Sequence, residues 1–157
     1  MTTINQVFTE AQRELLAAML NRIIPAEVGA PGRAPLPGAG DLGVVDFLEG
    51  VLRRDLRLRR LFLQGLAQVE ITASRREAKG FVELPDAARD ATLRQVEAEH
   101  PRFFEALVRQ TYSGYYTHPR VFECIGYDVH RVYQTKPFDE SLLEQQRQRA
   151  PFWRRAL

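Results

Sequence analysis

A single cysteine, Cys124, excludes an internal disulfide and leaves the redox compartment open. No apolar run approaches about 20 residues, so no transmembrane helix is predicted. Charge of one sign is also missing. Twenty-two basic side chains face 20 acidic ones, and a net charge of +2 does not by itself imply nucleic acid or an anionic membrane. The start, MTTINQVFTEAQRELLAAML, lacks a basic n-region and carries charges where an h-region should be uninterrupted, so it is not read as a signal peptide. Nor is there strand-like alternation of any length, or an internal repeat.

What is present is helical periodicity in a chain of 157 residues, long enough to bury a core without staples. T-E-A-Q predicts a capping box, with Thr9 as N-cap and Gln12 reaching back. Leu15, Leu16, Met19, Leu20 and Ile23 follow at helical spacing, and Pro25 stops the helix. AEVGAPGRAPLPGAGD is crowded with glycine and proline and reads as an irregular, stiff connector. A second helix opens near Asp41 or Gly43, and Asp41 is a candidate cap. A third runs from about Leu56 to Ala78, with Gly80 expected to end it. FVEL reads as short and extended. A fourth helix runs from Pro85 or Asp86 to near His100, and a fifth from Pro101 until the chain reaches THP. From Pro119 to Phe138 no period is visible. A short helix from about Asp139 to Arg149 precedes the end. The expected fold is all-α, with a helical domain over residues 8–133 and a tail over 134–157.

Candidate chemistry concentrates in TYSGYYTHPRVFECIGYDV, residues 111–129. His118, Cys124 and His130 are metal-ligand types six residues apart, looser than the two to five of most zinc pairs. Cys124 as a nucleophile would need a base such as His118 or His130, yet Phe122 and Ile125 flank it with apolar groups. The bland reading makes Cys124 a small hydrophobe and the histidines polar loop residues. GAG in the connector does not complete G-x-G-x-x-G and follows no strand. RRLFLQ imitates a twin-arginine export motif, but it lies deep in the chain and an amphipathic helix follows it.

Gripping fits the same residues better. Gly114 and Gly126 are expected to let the backbone turn. Tyr112, Tyr115, Tyr116 and Tyr127 offer rings that are apolar on the face and polar at the tip. Tyr115 follows the buried stripe of the fifth helix and is expected in the core. For Tyr116 and the loop to Tyr127, core and interface both stay open. The candidate partner surface is Tyr112, Tyr116, His118, Arg120, Phe122 and Tyr127. To these are added Phe152 and Trp153 in the tail, and Arg59 and Arg60 in the basic run RRDLRLRR.

Several segments in order carry a family resemblance. EAQRELLAAMLNRIIPAE, PGAGDLGVVDFLEG, LFLQGLAQVE, GFVEL and FFEALVRQTYSGYYTHPRVFECIGYDV together resemble the small subunit of gluconate 2-dehydrogenase, the subunit 3 family, over about residues 8–130. The resemblance implies a non-catalytic role beside a large FAD-dependent oxidoreductase of the glucose-methanol-choline type, which oxidises a sugar, sugar acid or glycoside. It implies no cofactor in this chain, FAD in the partner, and in many members a cytochrome c subunit that takes the electrons. Members frequently bear a twin-arginine signal, and this sequence departs there. The expected location is cytoplasmic as written, and periplasmic if a leader was removed or the partner is exported. Two readings of other classes stand beside this one. One is a freestanding metal- or thiol-dependent enzyme using His118, Cys124 and His130, and the other is a homo-oligomeric binding module.

Overall fold

A computed structural model describes residues 6–29, 31–32, 34–128 and 144. The chain divides into two units, Met1–Gly126 and Tyr127–Leu157, and the architecture below is that of the first. Among the described residues there are six α-helices, one 3-10 turn and no strand longer than an isolated bridge. The all-α expectation holds. Of the expected helix over 139–149 only Glu144 is among the described residues, and it is helical.

Helix α1 (Glu10–Ile23) starts on the capping box that T-E-A-Q predicts. Thr9 Oγ1 accepts from the Gln12 amide at 3.2 Å, and Gln12 Oε1 accepts from the Thr9 amide at 3.0 Å. It buries Leu15, Leu16, Met19 and Leu20, and ends where Ile24 turns extended ahead of Pro25. The glycine- and proline-rich connector then closes on itself. Glu27 and Leu36 exchange both backbone hydrogen bonds, at 2.9 and 3.1 Å. Asn21 on α1 holds the far end, its Oδ1 accepting from the Gly40 amide at 2.8 Å and the Asp41 amide at 3.2 Å. Gly40 needs its missing side chain, since a Cβ there would sit 2.2 Å from the Ala17 carbonyl oxygen.

Helix α2 (Val44–Arg54) begins after Gly43, whose left-handed φ of 84° turns the chain. Asp41 does not cap it, because its carboxylate accepts instead from Asn21 Nδ2 at 3.0 Å. Asp55 separates α2 from α3 (Leu56–Glu77) and caps the latter, its Oδ1 accepting from the Arg57 and Leu58 amides at 3.0 and 2.9 Å. At the other end Ala78, and not Gly80, takes the left-handed position, at φ 54°. Gly80 is extended and starts a 3-10 turn at Phe81–Glu83, where the extended FVEL was expected. The turn is held by side chains on both sides. Arg89 donates from Nε to Phe81 O and from Nη2 to Val82 O, and Glu83 Oε2 accepts from the Gly80 amide.

Helices α4 (Asp86–Glu99) and α5 (Pro101–Tyr116) meet at His100. A last helix, α6 (Pro119–Ile125), corrects the expectation of an aperiodic stretch after Pro119. Its ends were written in the sequence: proline at the first helical position and glycine just past the last. Seven residues were too few to show a period.

α3 packs on α4, α2 on α5, and α1 lies against both pairs. The core is apolar, with Phe62, Leu66, Phe81, Phe103, Leu107 and Tyr115 at its centre. Two glycines set helix spacing. Gly65 on α3 lies under the Phe103 ring, and Gly114 on α5 lies against Val44 and Phe47 of α2. Gly114 was expected to turn the chain. It sits inside a regular helix, where it admits α2 at close range.

Ion pairs fasten the rim. Glu49 is buried and takes hydrogen bonds from the Phe8 amide at 3.3 Å, from Arg13 at 3.0 Å and from Arg53 at 3.2 Å. Arg22 on α1 clamps α4, with Nε and Nη2 on Asp90 at 2.7 and 2.9 Å and Nη1 on Asp86 at 2.7 Å. The Arg22 hydrogen bonds hold the Asp90 carboxyl below its ordinary value of 3.8, against the opposing effect of burial. The stabilisation is therefore complete above that ordinary value and is lost as pH falls through the lower folded-state value. Arg22→Ala is expected to cost about 1 kcal/mol near neutral pH, since the pair is partly solvated. Denaturant titrations should show the gap to wild type closing in strong acid.

Candidate partner interface

Helix α5 presents two adjacent stripes. Phe103, Leu107, Thr111, Gly114 and Tyr115 face the core. Phe104, Val108, Tyr112 and Tyr116, each four residues from the last, form a second row beside them. That row emerges progressively. Phe104 and Val108 are half-buried, and Tyr112 and Tyr116 are 45% and 48% exposed. A shallow groove along it is shared with Ile23 of α1 and Leu93 of α4. The polar rim of the groove includes the Arg22–Asp90 pair.

The tyrosines are ordered by one another. Tyr112 and Tyr116 stack with ring centroids 5.8 Å apart and planes 22° apart. Tyr116 meets Tyr115 edge-on at 5.2 Å and 83°. Tyr115 is buried, as expected, and donates its hydroxyl to Pro37 O at 2.8 Å. Burial pushes its phenol up from the ordinary value, so it stays a donor. It pins the connector to α5. Tyr116 is thereby a surface aromatic held by a core aromatic, which lowers the entropy lost when a partner covers it.

The remaining candidates separate. His118 caps α6, with Nδ1 accepting from the Arg120 amide at 3.2 Å. Arg120 is exposed and Phe122 half-buried. Cys124 is half-buried and its thiol donates to Pro35 O at 3.6 Å, a weak contact that again ties α6 to the connector. Among the described residues no three of His, Cys, Asp and Glu form a cluster fit for a metal. His130, Phe152 and Trp153 lie outside the described residues. Tyr127, 46% exposed, begins the second unit. Arg59 and Arg60 stand on the first turns of α3, half-buried and exposed respectively, on a different helix from the tyrosines. Phe104 and Val108 join this surface without having been singled out in the sequence. Their place in the four-residue series 104, 108, 112, 116 was the available signal.

These features define an all-helical domain in which His118 and Cys124 bond to nearby backbone groups and the exposed aromatic chemistry lies on a helix face. The family model for gluconate 2-dehydrogenase subunit 3 matches residues 10–130, and the chain belongs to that family. It is accordingly a subunit type of a dehydrogenase complex. No curated protein and no solved structure matches the chain.

Proposed function

We propose that this chain is the non-catalytic small subunit of an FAD-dependent sugar, sugar-acid or glycoside dehydrogenase of the glucose-methanol-choline type. It binds and stabilises the large flavoprotein subunit. FAD resides in that partner, and a cytochrome c subunit is the expected electron acceptor in complexes that have one. The observation that carries the reading is the aromatic row on α5 in a chain of this family. Two stacked, half-exposed tyrosines continuing a half-buried Phe104–Val108 ridge combine apolar area with hydroxyls for a polar rim. The side chains offered by the enzyme alternative support this reading too. His118 and Cys124 are each engaged with backbone groups of this domain.

Co-expression with the large FAD-dependent subunit of the same organism tests the proposal. The two chains are expected to co-elute at a fixed ratio. After their separation, the flavin should stay with the large chain. Elution of this chain alone, or a redox centre retained by it, would overturn the reading.

A further inference from the structure

The corner between α2 and α3 is a second surface, which we propose docks a carboxylate-rich segment of a protein partner. Residues 53–60 read RRDLRLRR, five arginines against one acid. That acid is already engaged, since Asp55 caps α3 through the Arg57 and Leu58 amides. Arg53 turns back to Glu49. The side chains of Arg54, Arg57, Arg59 and Arg60 form no hydrogen bond or ion pair with any described residue; Arg75, Arg102, Arg109 and Arg120 are alike in this, but only here do four such guanidiniums fall within seven residues. The chain's charge is nearly balanced, yet here it is left unanswered.

The position of these charges sharpens the point. Arg57, Arg59 and Arg60 occupy the start of a 22-residue helix whose first turn holds no acid. Cations at a helix N-terminus oppose the helix dipole, an effect the Asp55 carboxylate already counters at the Arg57 and Leu58 amides. Further carboxylates placed among the guanidiniums relieve their mutual repulsion. Arg57 and Arg60 are three apart and Leu56 and Arg60 four apart, so the three side chains share a face. Leu56 is 72% exposed on it. Guanidinium forks around a bare leucine fit carboxylates alternating with apolar groups, the chemistry of an acidic protein segment. A polyphosphate backbone would leave Leu56 unused, and a net charge of +2 gives little long-range pull on one. The natural source of such a segment is the large subunit, and to that extent the inference rests on the subunit reading.

The test pairs the charge-reversed variant Arg57→Glu/Arg60→Glu with the conservative Arg57→Lys/Arg60→Lys. Both are titrated with the large FAD-dependent subunit and, separately, with a short glutamate–leucine peptide. Charge reversal is expected to weaken both interactions about tenfold and to flatten their salt dependence, while lysine retains most of the affinity. Wild-type affinity for the peptide should exceed that for duplex DNA or for vesicles of anionic lipid. The inference is overturned if reversal leaves peptide affinity within about twofold, or if DNA or vesicles bind more tightly. Peptide binding that needs the arginines, with no binding of the flavoprotein subunit, would preserve the docking chemistry and sink the subunit reading. A complex indifferent to the reversal would do the opposite.

Discussion

Gly65→Val is expected to destabilise the domain by about 3 kcal/mol, the upper part of the range for overpacked cores. A Cβ at this position would lie 2.2 Å from the Phe103 ring, far inside van der Waals contact. The ring has nowhere to retreat. Phe103 is 2% exposed and meets Phe62 edge-on at 5.7 Å and 84°, with Phe62 itself fully buried. Either α3 and α5 separate, exposing that aromatic pair to water, or Phe103 leaves its rotamer. Thermal or urea unfolding reads the loss directly. Gly65→Ala tests the same contact with less volume and should fall between wild type and valine. A valine variant as stable as wild type would mean that α3 and α5 do not approach as described.

The contrast between Gly65 and Gly114 on one side and the ends of the helices on the other shows what the sequence made legible. Features fixed by neighbours in the chain were readable. Thr9 and Gln12 form their capping box, Pro25 ends α1, and Pro101 starts α5. Features fixed by partners far along the chain were not. Gly114 reads as a turn residue until α2 is seen against it. FVEL reads as extended until Arg89 is seen on its carbonyls. The left-handed end of α3 falls on Ala78 although Gly80 is two residues away, because Gly80 starts the next turn. The candidate surface was half legible for the same reason. Tyrosine content drew attention to residues 112–127, but only the packing separates buried Tyr115 from exposed Tyr112 and Tyr116. It also assigns His118 to a helix cap.

Truncation of both exposed tyrosines, Tyr112→Ala with Tyr116→Ala, is expected to weaken binding of the large flavoprotein subunit about 100-fold, or roughly 2.7 kcal/mol. Their stacked rings project beyond the core stripe of α5, so the loss falls mainly on the complex. Unfolding free energy of the isolated chain should fall by only about 1 kcal/mol, the lost ring contacts on Tyr115 and between the two tyrosines, well short of the loss in binding. Tyr112→Phe with Tyr116→Phe keeps the rings and removes the hydroxyls, so it should recover most of the affinity. The decisive measurement is a calorimetric titration of wild-type and double-alanine chains into the purified FAD-bearing subunit. A tight, stoichiometric isotherm is expected for wild type and a shallow one for the variant, with both chains fully folded at the titration temperature. Indistinguishable isotherms would contradict it.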